Sequence, residues 1–312
     1  MTKIYKNMKM AELVESNYHL LSILSRLEFN GSFAERTAEE ICARYSFDAD
    51  TFILICNVYT SKGYKPTEEE LRQCSISDIL RYLHSSHNYY IDSALSLLSP
   101  SLKSLIAPAP QVQQKVIWHF FDSYKEELLK HFSYEEDTAI PYIQHLLAGA
   151  RPSNFSISVF KENHSNIEES LSDLKNLIMN SLPAECNGEK RIEVLSNIFH
   201  LQEDLKHHTY IEDRILVPLV EMLEGREPSP TFIAPAPKEN EDAEVLSERE
   251  KEVLAEVAHG YLNKEIADRL NISINTVITH RKNISRKTGI KTTPGLTVYA
   301  ILNGLVDISS FE

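Results

Sequence analysis

The chain has 312 residues, 42% of them hydrophobic, and a formal net charge of −13. That length suits two or three domains, and the charge rules out a protein that binds nucleic acid or anionic membrane over its whole surface. Nine glycines favour long helices over a turn-rich β fold. Cys42, Cys56, Cys74 and Cys186 are scattered without CxxC spacing, which argues against a cysteine-based zinc site or a disulfide framework and for a reducing compartment. The N-terminus lacks a signal-peptide core, and no apolar run approaches the roughly 18 residues of a membrane span. The expectation is a cytoplasmic protein with no membrane partner.

In chain order, helical periodicity predicts short amphipathic helices around 11–26, 37–45 and 49–59. The stretch YKPTEEE (64–70) reads as a break. Four longer helices follow. The first starts near Ser75, with Asp78 at a capping position, and ends near 98 at Ser-Pro-Ser-Leu. The others cover 112–147, 157–179 and 190–223, the last with Ile192, Leu195, Ile198 and Phe199 as its apolar positions. Four such helices with short connections predict an all-α, up-down four-helix bundle. EPSPTFIAPAPKENED (227–242) reads as a semi-stiff linker. From Val245 onward nine basic residues face eight acidic ones, a net of +1, so the remainder carries −14. The two parts are built for different partners. The expected division is a small helical domain (1–65), the bundle (66–226), the linker (227–244) and a C-terminal module (245–312).

Within the bundle, His87, His131 and Glu135 recur as His164, His208 and Glu212, each displaced by 77 positions, and Pro141 and Pro218 share the displacement. His131–Glu135 and His208–Glu212 are i,i+4 pairs on one helical face. His87 and His164 fall near the middle of the first and third helices. If the helices alternate in direction, all six groups meet at one level. Two carboxylates can then bridge two metal ions while imidazoles cap each one, and this donor mixture suits iron or manganese better than calcium or magnesium. The prolines, six residues after each Glu, should disturb both ligand-bearing helices at matching heights. Twelve histidines give some pairs by chance, but chance does not repeat six ligand-type residues at one displacement on four helices. His84, His207 and Glu136 are adjacent alternatives. His19, His119, His145, His200 and His259 read as structural or solvent-exposed.

HFSYEEDTAIPYI, ENHSNIEE and HTYIEDRILVPLV resemble the hemerythrin-like (HHE) cation-binding bundle, closest to the branch containing di-iron proteins for repair of iron centres. The resemblance covers about 75–223. It implies a non-haem di-iron centre, with manganese or zinc as lesser choices. Its terminal ligands would be His87, His131, His164 and His208, with Glu135 and Glu212 as bridges, and its chemistry would involve oxygen, nitric oxide or peroxide. Residues 8–59 resemble the small helical domain that precedes the bundle in the repair proteins. Those carry an adjacent cysteine pair where this chain reads LEFNGSFAER, which makes thiol-based repair a poor fit.

The C-terminal module reads as helix, turn, helix, turn, helix. Ser247 and Glu250 form a capping box and Gly260 closes the first helix. Asn263 opens a short helix with Ile266, Ala267 and Leu270 on its buried side. Asn271-Ile272-Ser273 turns the chain into a helix over 274–288. Its apolar positions are Val277 and Ile284, with Ile278 a third candidate, while Thr276, Thr279, His280, Arg281, Lys282, Asn283, Arg286 and Lys287 form a polar face. Between Ile278 and Lys291 lie five basic residues and no acid, which suits phosphate and base-edge contacts. The stretch from about 245 to 306 resembles the LuxR-type helix-turn-helix domain. The resemblance places Lys264, Thr276, His280 and Arg281 near phosphates and Thr279 and Lys282 toward bases. Ile278 stands where many members carry lysine and can meet a thymine methyl. It also implies a final helix, GLTVYAILNGLV, that often mediates dimer contact.

Together these readings predict a homodimeric regulator of transcription on double-stranded DNA, not an enzyme, whose di-iron bundle senses a diatomic gas, peroxide or redox state. The alternative is a di-iron oxidoreductase or iron-delivery protein with secondary DNA binding.

Overall fold

The computed structural model describes residues 3–61, 63–150, 155–162, 167–225 and 245–306. Among the described residues the fold is all-α, and the sole β-type pairing is an isolated bridge between Lys9 and Thr37. No described helix is long and apolar enough to cross a membrane. The predicted linker lies outside the described residues. Two compact units emerge: Met1–Ser93, Lys130–Ser165 and Glu203–Ile233 in one, Ala94–Leu129, Asn166–Gln202 and Ala234–Glu312 in the other.

The first unit begins with α1 (Met10–Ser16) and α2 (Leu20–Arg26). The sequence pattern predicts one helix here; the break has a tertiary cause. Asn17 is extended, its amide donates to the Tyr59 carbonyl at 3.0 Å, and its side-chain oxygen accepts from the His19 amide at 3.0 Å. Such local side-chain bonds compete with helix continuation. α3 (Ala38–Arg44) opens on a Thr37–Glu40 capping box. α4 (Ala49–Thr60) is buried nearly all round, through Phe52, Leu54, Ile55, Cys56, Val58 and Tyr59. Within the expected break at 64–70, a Thr67–Glu70 capping box starts α5 (Glu68–Gln73). These helices share one core with Ile140, Ile143, Ile211, Ile215 and Leu216 from the bundle. Full burial of each such side chain contributes about 1.5–3 kcal/mol.

α6 (Ile76–Asn88) is capped by Ser75, whose hydroxyl accepts from the Asp78 amide at 3.2 Å. The expected cap, Asp78, instead accepts from the Asp48 amide at 2.9 Å. A π-helical stretch (Tyr89–Ala94) follows, then α7 (Leu95–Ile106), which runs through Pro100 instead of stopping there. Burial of Leu95, Leu98, Leu102, Leu105 and Ile106 on both sides of the proline offsets the roughly 3 kcal/mol that an interior proline costs.

The 77-residue repeat is conformational as well as chemical. α8 (Gln111–Tyr134) and α12 (Gly188–Ile211) are each 24 residues long, and each boundary of one maps onto the other at that displacement. Each runs into a five-residue π-helical turn, Glu135–Ala139 and Glu212–Leu216, and then into α9 (Ile140–Leu147) or α13 (Val217–Leu223). Pro141 and Pro218 sit in the first two positions of those last helices. Lacking an amide hydrogen, each proline removes one i→i−4 bond. The residue before it donates one step further back, Ile140 to the Glu135 carbonyl and Val217 to the Glu212 carbonyl. The disturbance expected at matching heights is therefore a π turn that begins at each ligand-type glutamate. On α12 the buried stripe is Val194, Ile198, Leu201 and Leu205; Ile192 and Phe199, expected among the apolar positions, lie off it and are exposed.

The third long stretch is described as α10 (Ile157–Glu162) and α11 (Ile167–Asn180). The C-terminal module comprises α14 (Glu248–Ala258), α15 (Asn263–Leu270), α16 (Ile274–Thr288) and α17 (Thr293–Leu302). The Ser247–Glu250 box is present, and Gly260 and Asn271 adopt the left-handed conformation that ends their helices. Val253, Leu254, Val257, Ile266, Val277, Ile284 and Leu296 are buried in this module.

Candidate metal centre and nucleic-acid interface

α6, α12 and the two π turns bring four of the six predicted ligands to one place. His87, Glu135, His208 and Glu212 are each 2% exposed or less, and a donor atom from each lies within 4.8 Å of the others. His87 Nε2 and His208 Nε2 face each other at 3.2 Å. Glu135 Oε2 lies 3.0 Å from His87 Nε2, Glu135 Oε1 lies 2.9 Å from His131 Nε2, and Glu212 Oε1 lies 3.0 Å from His208 Nε2. Glu135 thus presents its two oxygens to two different imidazoles. His164 lies outside the described residues.

These donors fit a cation. Sealing two carboxylates away from water costs several kcal/mol per ion unless compensated. His87 Nε2 and His208 Nε2 face each other and a carboxylate oxygen each, and a single proton shared between the two nitrogens cannot also be donated to both Glu135 and Glu212. A divalent metal among two oxygens and two nitrogens resolves both difficulties at once. The two imidazoles are perturbed in opposite directions. Burial pulls the His87 pKa down, but hydrogen bonds to Glu135 and Glu136 outweigh it and hold the value up at about 9. His208 is pushed well below its ordinary value by burial, with the His87 charge adding to the effect.

The three adjacent alternatives sort themselves by geometry. Glu136 Oε1 accepts from His87 Nδ1 at 2.6 Å and its other oxygen lies 2.9 Å from His84 Nδ1. Glu136 therefore orients His87 from behind, leaving Nε2 toward the centre, in the manner of carboxylates that support metal-bound histidines. His207 turns away, its ring 4.2 Å from that of Tyr59. Phe132 stacks on His87 at 4.4 Å, and Tyr90 meets His208 edge-on at 5.4 Å. His19, expected to be structural or exposed, is half-buried, and His119, His145, His200 and His259 are exposed.

Sequence reasoning missed a polar cluster beside this centre. Arg26, from α2, is buried and paired with Asp204 of α12. Its guanidinium donates to Tyr59 at 3.1 Å and Tyr82 at 3.0 Å, and lies over the rings of Tyr89 and Tyr90 at 4.5 and 5.1 Å. Tyr59 donates to Asp204 at 2.6 Å. The available signal was Asp204–His208–Glu212, an i, i+4, i+8 series on one helical face.

In the C-terminal module, Lys264 on α15 and Ile278, Thr279 and Lys282 on α16 are exposed, while Thr276 and His280 on α16 are half-buried. Arg281 donates to Asn263 and Thr293, both at 3.2 Å, and burial lowers its pKa. Lys287 is engaged inside the module: its ammonium donates to Glu250 at 2.9 Å and to the Val245 carbonyl at 3.2 Å, with only 14% of its side chain exposed. Burial raises the Glu250 pKa, but the bonds from Lys287 and Ser247 prevail and lower it.

Fold and site define a helical metal-binding domain joined to a helix-turn-helix domain. Residues 79–220 match the hemerythrin HHE cation binding domain, and residues 244–300 match the bacterial regulatory proteins of the luxR family. The chain therefore carries a hemerythrin HHE cation-binding domain and a C-terminal LuxR-family helix-turn-helix domain. It is 46% identical over 66 residues to the transcriptional regulatory protein MctR of Rhizobium johnstonii, covering 21% of this chain and 31% of that protein. With the oxygen regulatory protein NreC of Staphylococcus carnosus the identity is 43% over 68 residues, 22% of this chain and 31% of that protein. With NreC of Staphylococcus aureus it is 44% over 63 residues, 20% and 29%. The chain thus spans about three tenths of the length of these curated relatives.

Proposed function

We propose that this protein is a cytoplasmic, DNA-binding transcriptional regulator whose hemerythrin-like bundle holds a non-haem di-iron centre that senses oxygen, nitric oxide or redox state. The observation that carries the reading is the sealed His87–Glu135–His208–Glu212 quartet on the same chain as a LuxR-type helix-turn-helix domain. His87, His131, His164 and His208 would be terminal ligands and Glu135 and Glu212 bridges; the two-sided contacts of Glu135 support its bridging role. Bound there, the centre supplies reversible ligand binding or one-electron change. Glu136 holds the His87 Nδ1 proton and so fixes which nitrogen faces the centre. Phe132 and Tyr90 exclude water from it. A ligand biases the protein only as far as it prefers one arrangement of the ligand helices over another.

On the output side Lys264, Thr276, His280 and Arg281 would meet phosphates, Thr279 and Lys282 base edges, and Ile278 a thymine methyl, in a homodimer on double-stranded DNA. Lys287 is left out of this set because Glu250 holds it. The domains are taken as 1–65, 66–226 and 245–312, joined by the linker. The test is iron analysis, followed by duplex binding of the reduced, oxidised and nitrosylated forms. Two irons per chain and state-dependent binding are expected, both lost in the Glu135→Ala/Glu212→Ala double variant. A response to gas unchanged in that variant would sink the sensing role, and multiple turnover at a cellular rate would mark an enzyme.

A further inference from the structure

We propose that α11 is a docking surface for the DNA-binding module, and that Asp173 is a latch that clasps the start of α17 and holds the module in a state of low DNA affinity. The latch rests on the regulator reading above and names the route by which the bundle reaches the DNA-binding part.

Asp173 has no exposed surface. One carboxylate oxygen accepts from the Lys291 amide at 2.8 Å, and the other accepts from the Thr292 amide and hydroxyl, both at 2.7 Å. Thr292 is the N-cap of α17, so the anion sits at the positive end of that helix. One turn along α11, the Asn176 amide donates to the Gly289 carbonyl at 2.6 Å, and Glu169 on the same face lies 3.8 Å from Lys291. Glu169, Asp173 and Asn176, at i, i+4 and i+7, therefore all reach the segment 289–292.

The module is shaped to receive them. A Cβ on Gly295 would lie 2.6 Å from Asp173 Oδ2, and one on Gly289 would lie 2.9 Å from Asn176 Nδ2. Gly289 also needs its positive φ to end α16. Gly295 has no such backbone requirement, and glycine is a poor residue within a helix. Close approach of Asp173, and of Ile290 and Thr292 in its own module, accounts for it. Burial shifts the Asp173 pKa upward, against the bonds from Thr292 and Lys291. The clasp consists of three short bonds from one carboxylate to one segment, so a small displacement of α11 can open it. α11 begins at Ile167, three residues after His164, so the latch helix adjoins a predicted ligand directly in sequence.

The reading face stays open while the latch is closed: Ile278, Thr279 and Lys282 are exposed. Closure instead sets the carboxylates of Glu169 and Asp173 against segment 289–292, next to the basic stretch 281–291, which disfavours approach of a polyanion. Opening removes that restraint.

The experiment uses the full-length protein as Asp173→Ala and Asn176→Ala, with circular dichroism to confirm the fold. Thr292 still caps α17 in both variants, and Asn176→Ala leaves the buried carboxylate in place. Solution scattering should show a larger radius of gyration than the parent. Anisotropy of a labelled DNA duplex of mixed sequence should show affinity raised by about fivefold or more at low salt. Unchanged scattering in both variants overturns the docking surface, and expanded variants with unchanged duplex affinity overturn its inhibitory role. Absence of duplex binding in parent and variants alike overturns the regulator reading instead, and the scattering then decides whether Asp173 holds the module.

Discussion

The two copies of the repeat, 111–147 and 188–223, share π turns, prolines and every helix boundary but the last, yet their surroundings differ. In the first copy Glu135 faces both His87 and His131, Glu136 orients His87, and Phe132 covers its ring. At the position equivalent to Phe132 the second copy has Thr209. Its own contribution lies one turn earlier, where Asp204 holds Arg26 from the N-terminal helices; the first copy has Glu127 there, accepting from Ser170 at 3.1 Å. The repeat keeps the ligand-type positions while the residues around them differ: in the first copy Phe132 covers His87, and in the second Asp204 ties Arg26 of the N-terminal helices beside the centre.

The most severe test of that asymmetry removes the ligand glutamates one at a time. Glu135→Ala should lose more of the bound metal than Glu212→Ala, because Glu135 contacts both His87 and His131 while Glu212, among the described residues, contacts His208. Metal content by mass spectrometry reads the difference, and equal loss would mean that the copies are equivalent after all. Next comes Arg26→Met, which leaves the half-buried Asp204 carboxylate beside Tyr59 without its cation. A loss of about 3–5 kcal/mol is expected from breaking a buried pair, against about 0–1 kcal/mol for Glu127→Gln at the equivalent position. Urea unfolding measures both. Similar values for the two would remove the special role of the second copy. Glu136→Gln ranks third: it keeps the shape but weakens the acceptor behind His87, and metal affinity should fall by roughly 10–100-fold. Competition with a chelator checks this, and an unchanged affinity would take the orienting role away from the first copy.

What could be read in advance follows the reach of each interaction. The α16 boundaries, the Ser247–Glu250 box and the clustering of His87, Glu135, His208 and Glu212 were legible because caps, i,i+4 pairs and an internal repeat are written in nearby or identically spaced residues. The break at Asn17 was not, since it depends on the Tyr59 carbonyl, 42 residues away. Nor was the passage of α7 through Pro100, which depends on burial along both flanks of the proline. Arg26 and Asp204 are 178 residues apart, and neither stands out among the charged residues until the fold brings them together. The exposure of Ile192 and Phe199 has the same origin. The inward face of α12 is set by Asp204 and His208 together with Leu201 and Leu205, and hydrophobicity alone misjudges it.

The smallest expected effect addresses what the copies still share. Pro141→Ala and Pro218→Ala each restore an amide hydrogen, and a simple account would have the π turns collapse to α-helical register. That would rotate everything beyond each glutamate by about 100° and drive Ile143 or Leu216 out of the core. The bonds from Ile140 to the Glu135 carbonyl and from Val217 to the Glu212 carbonyl do not involve the prolines. The packing of Ile140, Ile143, Ile215 and Leu216 holds the same register. Both variants should therefore keep their metal and lose only about 0.4–1 kcal/mol, the conformational-entropy contribution of a compatible proline in the unfolded chain. Equal, small losses would show that the π turns belong to the duplicated scaffold. Metal loss in one variant alone would show that the divergence extends to the backbone, with one copy relying on its proline where the other relies on packing.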